Sequence, residues 1–105
     1  MVFKGLNGSV SIAENWVTIS REKKLDGVFH TLGSIIIPIR ELDKVVYSKG
    51  GILNGFIVFI KKGDRQPHSV FSAIKNKNAI IFRASKNEQA KEVEKYTNAL
   101  IATNT

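Results

Sequence analysis

The sequence predicts a mainly β domain with one C-terminal α-helix. Three observations predict it. Apolar residues alternate with polar ones along most of the chain, the period of half-buried strands. Short breaks rich in glycine and asparagine separate those runs. Only the stretch 85–102 changes to a helical period. At 105 residues the chain is expected to be a single domain, with strands within 2–84 and the helix at about 86–102.

The elements follow in order. Val10 and Ile12 alternate with Ser9 and Ser11, and Val17 and Ile19 with Thr18 and Ser20; "AEN" between them suits a hairpin connection. "EKKLDGVFHTL", residues 22–32, breaks the alternation and reads as a longer loop. "GSIIIPI" then presents a continuous β-branched run, which predicts a strand buried on both faces. Pro38 cannot donate to a ladder, so it marks the exit of that strand, and "REL" turns the chain into "DKVVYSK". Gly50–Gly51 and Asn54–Gly55 punctuate a further hairpin leading to "FIVFIKK". "NAIIFRA" is another strand, and "HSVFSA" a further candidate, which makes six or seven antiparallel strands in all. In the helix, Ala90, Val93, Thr97, Leu100 and Ile101 share one face with Tyr96 beside them, and Ser85 with Glu88 fits a capping box. A sheet with one apolar face needs a cover, and this helix is the only amphipathic candidate.

Composition narrows the classes. There is no cysteine, so no disulfide and no thiolate chemistry, which suits a reducing cytoplasm. The opening "MVFKGLNGSV" has no basic region followed by a long apolar core and does not read as a signal peptide. The apolar runs fall far short of the roughly 20 residues of a membrane-spanning helix.

Taken together, "FKGLNGSVSI" at 3–12, "VTISR" at 17–21, "GSIIIPIRELDKV" at 33–45, "NGFIVF" at 54–59, "NAIIF" at 78–82 and "NEQAKEVEKYTNAL" at 87–100 resemble the small bacterial pleckstrin-homology-like domains. Some of these precede a short C-terminal oligomerisation segment. The resemblance spans about the whole chain and rests on glycines and apolar alternation. It implies a strongly bent antiparallel sheet, or partly open barrel, capped at one end by the helix. Pleckstrin-homology domains that bind inositol phosphates carry basic residues around the first hairpin. Here that hairpin reads "SVSIAENWVTISR", with Glu14 at the turn and Arg21 at the far end, so that site is not expected.

Residue chemistry points away from catalysis. His30 and His68 are far apart and lack partners at metal-ligand spacing. Serine, histidine and aspartate occur without a nucleophile elbow. Gly5/Gly8 and Gly50/Gly51 lack the lysine and hydroxyl residue of a phosphate loop. Glu92 and Glu94 interleave with Lys91 and Lys95, as on a solvated helix face. No enzyme, metal or cofactor is implied.

Charge is the one unusual feature, +7 from 16 Lys and Arg against 9 Asp and Glu. Residues 55–86 hold Lys61, Lys62, Arg65, Lys75, Lys77, Arg83 and Lys86 against Asp64 alone, a net +6. The bland reading is that these residues solubilise loop tips and protect sheet edges. The functional one is a basic patch, with Lys61–Arg65 and Lys75–Lys77 brought together, for an anionic membrane surface or nucleic acid. Trp16 falls on the polar parity of its strand, either packed under a loop or touching a partner. Phe29, Leu32, Ile52 and Leu53 look exposed and suit a protein contact. Two functions are therefore expected. The favoured one is protein contact or homo-oligomer formation through sheet edges and the helix flank. The other is charge-driven binding of anionic lipid or nucleic acid.

Overall fold

The computed structural model describes residues 1–25, 27–67 and 69–104. Its strands are β1 (Val2–Lys4), β2 (Gly8–Ile12), β3 (Trp16–Leu25), β4 (Val28–Pro38), β5 (Leu42–Ser48), β6 (Gly55–Lys61) and β7 (Ala79–Phe82). Helix α1 (Val70–Ile74) lies between β6 and β7, and α2 (Asn87–Thr103) follows β7. Sheet order is β1-β2-β3-β4 in one layer and β5-β6-β7 in the other, antiparallel throughout. The protein is thus mainly β with a C-terminal helix, in two sheets rather than a closed barrel.

Alternation sets the inner faces. Phe3, Val10, Ile12, Val17, Ile19 and Ile37 turn inward from the first sheet and meet Val45, Ile57, Phe59, Ile80 and Phe82 of the second. Ala90, Val93 and Ile101 of α2 close the same core, as the helical spacing predicts. Phe82 anchors the centre, edge-on to Phe3 at 5.6 Å and stacked on Tyr47 at 6.0 Å between ring centroids. The strands buried on both faces are β6 and β7, whose Phe56, Val58, Ile60, Ala79 and Ile81 pack with Val70 and Ala73 of α1 behind the sheet.

The two layers meet at one seam beside β7. Leu6 N–H donates to Ile81 O at 2.7 Å, and Asn7 Oδ1 accepts from Ile81 N–H at 2.9 Å. Asn7 Nδ2 and Arg21 Nη1 both donate to Ala79 O. Gly5 permits this approach, since a Cβ there would lie 2.3 Å from Ile81 O.

Four expectations need correction. Residues 22–32 are no loop: β3 and β4 run on as a hairpin with Leu25 opposite Val28, and Gly27 takes a φ of 78° in the two-residue connection. Asp26 of that connection lies outside the described residues. A bulge between Arg21 and Glu22 lets β4 carry one extra residue at this point. The "GSIIIPI" strand is buried on one face only, because β4 is an edge strand and Ile36 is 65% exposed. "HSVFSA" holds a helix, α1, because Ser69 and Ser72 cap each other's backbone N–H groups; His68 lies outside the described residues. Finally, Ser85 does not cap α2, since it sits in a single 3-10 turn and the N-cap is Lys86, which makes no side-chain capping bond. Pro38 does end its strand, leading into a 3-10 turn at Ile39–Glu41.

Candidate functional site

A sheet edge exposes N–H and C=O groups that water, side chains or another strand must satisfy. Three of the four edges are closed or too short to matter. Along β5, α2 supplies side chains where a strand would otherwise lie. Asn98 accepts from Val45 N–H at 2.9 Å and donates to Val45 O at 3.0 Å. Glu94 accepts from Tyr47 N–H at 3.0 Å, and Asn87 makes the same reciprocal pair with Gly50. Positions 87, 94 and 98 are spaced by seven and four, so they fall on one side of the helix. Along β7 the seam described above serves the same purpose. β1 is three residues long.

The fourth edge is β4, eleven residues long. The direction of its backbone groups follows from the ladder. Ile39 N–H donates to Asn15 O at 2.9 Å, one step beyond the Trp16–Pro38 pair. Hydrogen-bonded pairs recur at every second residue, so Val17–Ile37 and Ile19–Ile35 exchange bonds inside the sheet. The other side of β3 agrees, since Ala13 N–H donates to Trp16 O and Thr18 therefore bonds towards β2. Ser34 and Ile36 consequently aim N–H and C=O away from β3, with no partner among the described residues. Pro38 stands at an outward position too, where its missing N–H costs the ladder nothing.

Residues 28–38 contain no Asp, Glu, Lys or Arg in a chain of net charge +7. The solvent face beside the edge carries a single charge in its two central rows, Lys4 on the far strand. Ile36, Thr18, Ser11 and Val2 form one row across the four strands, and Ser34, Ser20, Ser9 and Lys4 the next. Ser20 and Ser34 join their hydroxyls at 3.1 Å. Trp16 continues the face opposite Pro38 and is 53% exposed, so it does not pack under a loop; it borders a shallow hollow with Asn15, Pro38, Arg40 and Asn104. Leu32, Ile52 and Leu53 are exposed as expected, and the Phe29 side chain lies outside the described residues.

The predicted basic residues divide into two groups. Lys61 ends β6, with Lys62 and Arg65 following it, and Lys61 Nζ lies 4.0 Å from Glu41 Oε1 at the surface. Lys75 and Lys77 line an open cleft of about 360 Å³ with Asn7, Arg21, Glu22, Leu32 and Asn76. Lys61, Lys62 and Arg65 are not among its lining residues. Arg21 was named at the end of the first hairpin but not predicted as part of a site. Its guanidinium spends Nη1 on Ala79 O and Nη2 on Asn76 O, and burial pushes its pKa down from the ordinary value. An arginine ending an alternating run beside Gly8 was the available signal.

Among the described residues, no cluster of three or more His, Cys, Asp or Glu could hold a metal ion. No described helix is long and apolar enough to cross a membrane. Compared with known proteins, the chain matches no family model, no curated protein and no solved structure.

Proposed function

We propose that the chain is a non-catalytic contact module of pleckstrin-homology-like type, which binds protein by accepting an additional strand on β4. One observation carries the reading: among the described residues this edge alone of the long ones is bare, and it is uncharged and flanked by exposed apolar side chains. Strand addition takes its affinity from main-chain hydrogen bonds and its selectivity from alternate side chains, and β4 offers both through Ser34 and Ile36. An edge meant to stay solvated carries lysine, proline or inward charge along its length. β4 has a proline only at its last position.

A second reading rests on the cleft, where Arg21, Lys75 and Lys77 converge. Three cations against Glu22 favour an anionic ligand such as a lipid headgroup or nucleic-acid phosphate.

Light scattering on a sizing column, at low and at near-physiological salt, tests both. Self-association through β4 would persist at both salts, because exposed-charge attraction is screened while strand pairing is not. Ile36→Lys should return the chain to monomer without unfolding, since residue 36 is exposed. Association indifferent to Ile36→Lys overturns the reading, whereas a monomer at both salts leaves β4 to a strand of another protein. Binding to anionic vesicles that collapses with salt and with Lys75→Ala/Lys77→Ala would favour the cleft instead.

A further inference from the structure

We infer that the strand added to β4 is β4 of a second copy, antiparallel about a two-fold axis at Ile35. This rests on the contact-module reading and names its partner.

The outward groups are self-complementary. Ser34 and Ile36 each present one donor and one acceptor, symmetrically placed about Ile35. Turned by a two-fold axis there, Ser34 of one copy faces Ile36 of the other, and each pair exchanges both N–H···O=C bonds. Four main-chain hydrogen bonds result. At the ends of the ladder, Pro38 meets the bulged region around Leu32, which limits the pairing to a short central run.

Charge argues for the same partner. Two copies of a +7 chain repel wherever lysines face lysines, and residues 28–38 contain none of the four charged residue types. The neighbouring Thr18 and Ser20, opposite Ile36 and Ser34, are neutral as well. The edge of β5 is held by Asn98, Glu94 and Asn87, and that of β7 by Leu6, Asn7 and Arg21. Within a second copy, β4 is therefore the long edge left to offer. An isologous pairing uses that edge on both copies and closes at two, whereas a heterologous one would leave an edge free to continue.

The chain has no cysteine, so single cysteines report the register without background. Ser34→Cys and Ile36→Cys both replace exposed side chains and leave the core untouched. In the antiparallel pairing they face each other at a Cα separation of about 5.5 Å, inside disulfide range. Each residue lies diagonally from its own counterpart at about 7–8 Å, which is too far. The two proteins are mixed, oxidised gently and weighed by mass spectrometry. The expected result is the mixed disulfide in large excess over either self-linked product, and its disappearance when Ser34→Cys also carries Ile36→Lys. Random collision gives mixed products at only twice each self-linked one, and parallel in-register pairing gives the self-linked ones; either result overturns the two-fold. Absence of any disulfide overturns it too. If association still responds to Ile36→Lys in that case, the module reading stands and another strand occupies β4. If it does not respond, both fall.

Discussion

Replacing Asn98 by alanine tests the side-chain cover of β5. The change deletes the bond from Val45 N–H and the bond to Val45 O. A net intramolecular hydrogen bond contributes about 1 kcal/mol, so the pair contributes about 2 kcal/mol. Alanine returns roughly 0.5 kcal/mol through helix propensity. A net loss of about 1.5 kcal/mol remains, and at roughly 5 °C per kcal/mol for a domain of this size Tm should fall about 7 °C. α2 should stay docked, because Ala90, Val93 and Ile101 still bury the same apolar face. Urea unfolding followed by circular dichroism measures the loss, and an unchanged denaturant slope checks that the native fold persists. The variant also bares part of a second edge, so light scattering should show species larger than those of wild type. A variant as stable as wild type, with unchanged particle size, would refute the argument that Asn98 stands in for a neighbouring strand.

Thr97 is fully buried in α2 and its hydroxyl has no hydrogen-bond partner among the described residues. Thr97→Val keeps the branched shape and removes that desolvated group, so it should raise stability by about 1–2 kcal/mol; a loss in urea unfolding would contradict this. Gly5→Ala forces a Cβ onto Ile81 O and Ile80 Cγ2 at the seam, and should cost at least about 2 kcal/mol by the same assay. Tyr47 is half-buried against Phe82, and its phenol pKa is raised above 10.0 by desolvation first, then by the Glu88 and Glu94 carboxylates. Its folded pKa exceeds its unfolded one, so the associated stability is complete below pH 10 and is lost as pH rises through the folded value. Urea midpoints between pH 9 and 11 should decline more for wild type than for Tyr47→Phe, and equal declines would count against it.

Legibility followed burial. Val10, Ile12, Val17 and Ile19 announce their strands because one face is wet and the other dry. Ala90, Val93, Thr97 and Ile101 announce α2 for the same reason. The isoleucine run at 35–37 misled because composition does not say which face will be covered; β6 received the second cover from α1, and β4 did not. The charged "EKK" hid the distal half of β3, although Asp26–Gly27 was available as a hairpin signal. α1 is five residues long, too short for a helical period to show. The absence of charge from 28–38 was visible in the sequence. Its meaning was not, because it depends on which other edges are occupied. That is settled by Asn98 reaching Val45 across 53 positions and Asn7 reaching Ile81 across 74. Arg21 was set aside because a single arginine acquires its surroundings only when β7 arrives beside it.

The cover on β5 also has a place in time. Val45 leaves the ribosome 53 residues ahead of Asn98, and at roughly 5–20 residues per second the interval is about 3–10 s. Throughout that interval a nascent chain carries β5 without the helix that will occupy its margin, while β4 is already complete. Neighbouring chains on one message would meet at such unfinished strands before they could meet as finished domains. Synthesis rate and chaperone occupancy would then decide how much of the protein reaches its finished fold.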